Sequence, residues 1–191
     1  MKTPSSSLSV WVGDHAACIK IAGRASFNSS VDFKTLINSL SQRGFDSFVL
    51  DLTDCLLMDS TFLGVLAGLG LKFGANPKSQ SHPSMELLNP NARILDLLEN
   101  LGVSHLFQVR NGTDCHEMAP VESLPANADR KEVSRTCLEA HQALMEVNPA
   151  NVSRFKDVAQ FLAEDLKRMD EGDQGKAGET GSDARKPAPS T

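Results

Sequence analysis

The spacing of apolar residues changes several times along this chain, and each change marks an element. Leu8–Val12 and Ala16–Ala22 are short β-prone runs separated by Gly13-Asp14-His15. Apolar runs flanking a Gly-Asp pair predict a tight hairpin. In the second run Cys18 and Lys20 fall on one face, and Ala17, Ile19 and Ile21 on the other. A polar loop then runs from Gly23 through Ser30. Val31, Phe33, Leu36, Ile37 and Leu40 recur at helical spacing, which predicts a helix over Val31–Arg43, N-capped by Ser30 and closed at Gly44. Ser47–Leu52 is apolar at four of six positions, as suits a strand covered on both faces.

A short loop leads to a second helix, Ser60 to about Phe73, apolar nearly all round and therefore largely buried. Gly64, Gly68 and Gly70 each cost this helix about 1 kcal/mol relative to Ala, so close packing against the sheet is expected there. Gly74–Pro83 reads as a loop and Ser84–Leu88 as a strand. Asn89-Pro90 opens a third helix with an apolar face of Ala92, Ile94, Leu95, Leu97, Leu98 and Leu101, ended by Gly102. Leu106–Val109 is the final strand. This order predicts an α/β domain over 8–110, with a mixed, mainly parallel sheet of 4–5 strands and packed helices. The pattern lapses over 111–128, which reads as a linker. Two further stripes, Val133 to Val147 and Val152 to Met169, are broken at Asn148-Pro149 and predict an amphipathic helical hairpin over 129–170, opened by a capping-box-like Asp129-Arg130-Lys131-Glu132. Residues 171–191 hold Gly, Ser, Pro and charges with no large apolar side chain apart from alanine-sized ones, so disorder is expected there.

Composition narrows the function. Hydrophobic residues make up 40% of the 191 positions, enough for a core, but aromatics only 5%, with no Tyr, and the net charge is −5. Nucleic acid as partner is thereby disfavoured, since it asks for a basic face and stacking aromatics. The N-terminal Met1–Ser7 lacks the apolar core of a secretion signal, and the longest apolar stretch, Phe62–Leu71, is too short for a bilayer. Cys18, Cys55, Cys115 and Cys137 form no CxxC pair. Reduced thiols in a soluble, cytoplasmic protein are expected.

The chemically pointed feature is Asp59-Ser60, a carboxylate and a hydroxyl where the second helix begins. A helix N-terminus exposes unpaired N–H groups and a partial positive charge. Ser60 can cap those donors, and a phosphate on it would lie where dipole and amides favour it. Catalysis is a weaker prospect. Asp59 as a base for Ser60 has no histidine near it in sequence, because His15, His82, His105, His116 and His141 are scattered. Asp51 as a receiver-type phospho-acceptor lacks the accompanying acidic pair and Lys-Pro. Asp114-Cys115-His116-Glu117 has metal-capable residue types, but neighbours in sequence seldom converge on one ion. Neither a metal nor a cofactor is expected.

Phe48-Val49-Leu50-Asp51-Leu52 followed by Met58-Asp59-Ser60-Thr61-Phe62-Leu63-Gly64-Val65-Leu66 resembles the STAS domain of anti-sigma-factor antagonists. That resemblance implies a non-enzymatic protein-binding module in a partner-switching pathway. Its partner would be an anti-sigma factor that is also a Ser/Thr kinase, and its phosphosite Ser60, with Thr61 the adjacent alternative. It implies a partner face of Asp59, Ser60, Thr61, Phe62, Gly64, Arg24 and Ser26. Two departures stand out. Phe62 replaces the family's usual glycine, and Gly23-Arg24-Ala25-Ser26 replaces a Gly-Glu-Ile/Leu-Asp segment, losing both carboxylates. The alternative is an unphosphorylated STAS scaffold docked on a transporter or other ATPase. The C-terminal hairpin offers a surface for homodimerisation or docking.

Overall fold

The computed structural model describes residues 6–13, 15–74, 85–112, 119–121 and 129–178. The expected hairpin forms: β1 (Ser7–Val12) and β2 (Ala16–Ala25) are antiparallel, with Val10 opposite Ile19. Beyond it, β3 (Ser47–Asp51), β5 (Met85–Leu88) and β6 (Gln108–Arg110) add in parallel, while β4 (Cys55–Met58) pairs in parallel with the far end of β2. A strand β7 (Ala119–Val121) pairs antiparallel with β1. The sheet order is β6-β5-β3-β2-β1-β7. Register sets Val10, Ile19, Leu50 and Leu87 in one row across four strands, and all four are buried.

The helices are α1 (Phe27–Gln42), α2 (Ser60–Gly74), α3 (Ala92–Asn100), α4 (Arg130–Val147) and α5 (Val152–Gly178). The fold is thus the expected mixed, mainly parallel α/β arrangement with a C-terminal helical hairpin. Among the described residues it has seven strands, however, where the pattern predicts four or five. β4 occupies the stretch that reads as a loop, and β7 lies inside the stretch that reads as a linker. Neither is long enough to show a period: four residues and three. The first helix begins at Phe27, four positions before the predicted Val31. Its opening turn is serine-rich, and Ser29 and Ser30 are buried by donating their hydroxyls to the carbonyls of Ser26 and Phe27 (3.0 and 2.7 Å). Side-chain-to-backbone bonds of this kind carry a helix start with no apolar stripe to signal it. The helix α5 continues to Gly178, into the predicted tail; 179–191 lie outside the described residues.

The expectation of uniformly reduced thiols fails at Cys18. Cys18 is disulfide-bonded, whereas Cys55 and Cys137 are free. Four cysteines far apart in sequence carry no pairing signal until the fold is known.

Cys55 behaves as the small hydrophobe expected of it. It is buried at the start of β4, and burial pushes its thiol from 9.0 up to about 11. The thiolate is the reactive form, so at pH 8 alkylation of Cys55 should run about a hundredfold slower in the folded protein than after denaturation. Mass-mapped iodoacetamide labelling reads this directly. Because the folded pKa is raised, its contribution to stability is intact below pH 9 and fades as pH climbs toward 11.

Candidate functional site

β4 runs parallel to the end of β2 and delivers Asp59 against the start of α1. The Asp59 N–H donates to the Ala25 carbonyl (3.0 Å), which fixes the backbone where strand becomes helix. Its carboxylate then serves two helices. Oδ1 accepts the Phe62 N–H and Oδ2 accepts the Phe27 N–H, each at 2.8 Å. The Asp59 carbonyl accepts the Leu63 N–H (3.0 Å), so Asp59 is the N-cap of α2 and Ser60 its first helical residue. The cap expected of Ser60 therefore belongs to its neighbour. One short carboxylate reaches both helix starts because the strands bearing them pair at Ala25–Met58. Negative charge there also meets the positive ends of two helix dipoles.

Freed from capping, the Ser60 hydroxyl points across the fold. Its Oγ lies 3.2 Å from Nε2 of His141 on α4. The other ring nitrogen, Nδ1, is 2.7 Å from the Cys137 carbonyl, which can only accept, so the proton of the neutral ring belongs on Nδ1. Nε2 is then the acceptor and Ser60 the donor. Sequence separation hid this histidine: the partners are 81 positions apart. His141 is also no surface residue, being 6% exposed and packed against the Phe155 ring at 5.1 Å between centroids. The i,i+4 spacing of Cys137 and His141 on one amphipathic stripe was the available signal, and it read as packing.

The other predicted contact residues divide. Thr61 is 6% exposed, its hydroxyl directed at Cys137 Sγ (3.7 Å), and burial raises the Cys137 thiol pKa. Phe62 is fully buried, stacked on Phe33 of α1 at 4.9 Å and 28° between planes. Gly64 lies directly under α4, not against the sheet as expected of this helix's glycines: a Cβ there would be 2.3 Å from the Ala140 carbonyl oxygen. Ser26 is the N-cap residue of α1, its N–H donating to Ser29 Oγ (3.1 Å). Arg24 is exposed on β2, and Phe27 (45% exposed) and Leu56 (58%) flank the same strand ends. Asp51 is buried and makes a local turn, accepting the Thr53 N–H at 3.0 Å.

A cleft of about 280 Å³ opens between α1, α2 and α4, lined by Lys34, Asn38, Gly68, Lys72 and Glu139 among others; Ser60 is not part of its wall. Among the described residues no His, Cys, Asp or Glu cluster could hold a metal, and no helix is long and apolar enough to cross a membrane. Asp114–Glu117, His82 and His116 lie outside the described residues.

No protein-family model matches the chain, and no curated protein matches it. Among solved structures it is similar to the anti-sigma factor antagonist SpoIIAA in its unphosphorylated form (14% identity, TM-score 0.48, 56% of this chain and 90% of that one). It is similar also to an anti-sigma factor antagonist from Mycobacterium paratuberculosis (15%, 0.47, 55% and 85%). A third is the Bacillus cell fate determinant SpoIIAA in the phosphorylated form (16%, 0.46, 58% and 93%).

Proposed function

We propose that this protein is a non-enzymatic binding module of a partner-switching pathway, an anti-sigma-factor antagonist controlled by phosphorylation of Ser60. The observation that carries the proposal is that Ser60 stands at the first position of a helix whose cap is already supplied by Asp59. A phosphate on Ser60 adds a charge of about −1.5 to −2 at the positive end of α2. The cap is untouched, so the helix need not unwind. Modification then alters what a partner meets while the capped start of α2 persists. The exposed Phe27, Leu56 and Arg24 around the same strand ends supply apolar and cationic contacts for such a partner. Phe62 acts from inside, holding the helix start in place, and Thr61 is the more enclosed of the two hydroxyls.

The test joins mass spectrometry to a pull-down. Incubation with an anti-sigma factor of the Ser/Thr kinase type should place phosphate on Ser60. Ser60→Ala bait should retain that partner, while Ser60→Asp should bind it at least about tenfold more weakly, a difference of about 1.4 kcal/mol. No phosphate on Ser60 or Thr61, together with unchanged binding by Ser60→Asp, would sink the proposal.

A second function is favoured by one contact. The Ser60 hydroxyl is already engaged by His141, which suits an unmodified scaffold docked on a transporter or other ATPase. Co-purification separates the two: an ATPase subunit supports the scaffold, a kinase the switch.

A further inference from the structure

The face of α2 that bears Ser60 is occupied by α4 of the same chain. Gly64 and Gly68 lie against Ala140 and Ala143, Ser60 ends on His141, and a Lys34–Glu139 ion pair closes the seam from α1. The hairpin has a separate anchor at its bend. Asn151 and Asn148 donate to the Leu101 carbonyl (2.9 and 3.3 Å), and Arg154 donates to the Asn100 carbonyl (3.1 Å). Gly102, at φ +70, makes room for this anchor, since a Cβ there would be 2.5 Å from Asn148 Nδ2. Ion pairs Arg130–Asp165 and Lys131–Asp170 tie α4 to α5 rather than to the sheet. Contacts between glycine and alanine bury little apolar area per residue. The stretch of α4 over Ser60, from Cys137 to Ala143, is therefore held by small residues and polar contacts, while the large apolar anchor of α4, the fully buried Leu144, lies beyond it toward the bend.

We infer that α4 is an intramolecular ligand of the α2 face, and that its docking and the modification of Ser60 exclude each other. This rests on the role proposed for Ser60. A phosphoryl group on Oγ, in the direction the imidazole now fills, displaces His141 and with it α4. A partner that reaches Ser60 takes the place of α4, and the element that fits is a helix presenting small residues at the i,i+3 spacing of Ala140 and Ala143. Linkage makes the exclusion reciprocal: modification loosens α4 by the factor by which docked α4 opposes modification.

The experiment uses the full chain and no kinase, so its failure is distinct from failure of the phosphoswitch. In hydrogen exchange followed by mass spectrometry, Ser60→Asp should accelerate amides of 131–147 by about 5- to 150-fold, the span of ordinary coupling energies, with β2 and β3 unchanged. A lock supplies the second arm. An ideal Cβ on Gly68 lies 3.6 Å from Ala143 Cβ, within the roughly 3.5–4.5 Å that a disulfide spans. In a Ser60→Cys chain, adding Gly68→Cys and Ala143→Cys and oxidising the pair should slow maleimide labelling at position 60 at least about fivefold. Unchanged exchange in α4, α4 and sheet accelerating together, or equal labelling with and without the lock would each overturn the inference.

Discussion

Phe62→Gly is expected to destabilise the protein by about 4–6 kcal/mol. Truncating a buried Phe costs about 3–5 kcal/mol through lost burial and the cavity left behind, and glycine within a helix adds about 1. Phe62 is fully buried and its ring lies 4.9 Å from that of Phe33, so the cavity would open between α1 and α2. Against a total stability of about 5–15 kcal/mol, such a loss leaves little folded protein. This substitution restores the residue usual in the family that the sequence resembles, so resemblance alone would call it harmless. Phe62→Leu, which keeps an apolar side chain in the slot, should cost much less than the glycine variant. Urea denaturation decides between the two views. A loss below about 2 kcal/mol for Phe62→Gly would mean that the ring does not bear on the core as described.

Asp59→Ala should cost about 1–3.5 kcal/mol and fray two helices at once. Loss of an N-cap side chain is worth about 0.5–2 kcal/mol. The second amide, on Phe27, loses its acceptor as well; this bond lies at the surface, where water takes over in part, so about 0.5–1.5 kcal/mol goes with it. The sum should show in denaturation, and its source in hydrogen exchange at Phe27–Ser30 and Thr61–Leu63. Asp59→Asn should recover part of the loss, because one oxygen still accepts. Acceleration confined to α2 would show that the Oδ2 bond to Phe27 carries no weight.

Much of this fold could be read from the chain because its longer elements carry their own period. The hairpin of β1 and β2, the strand β3, the helices α2 and α3 and the break at Asn148-Pro149 all lie where the apolar spacing sets them. Asp129 caps α4 as its sequence suggests, accepting the Glu132 N–H at 2.7 Å. What escaped were pieces too short to be periodic, β4 and β7, and a helix start built on back-bonded serines. At the site, Asp59 and Ser60 were legible as a pair, but their division of labour was not. Whether the carboxylate or the hydroxyl takes the cap depends on Phe27, 32 residues away, and the partner of Ser60 lies 81 residues away. Local spacing holds no record of either contact.

The described edges of the sheet bear on how this protein can meet others. Among the described residues, the strands that end the ordered path, β6 and β7, are three residues long, and β4, off that path, is four. An incoming strand would find too short a ladder at either rim, which is a common guard against runaway strand addition. Recognition by strand addition, in which main-chain bonds supply the affinity, thus has little to build on. Under the proposed function, association falls instead to helical faces and to the strand ends around Asp59, where side-chain chemistry sets who binds.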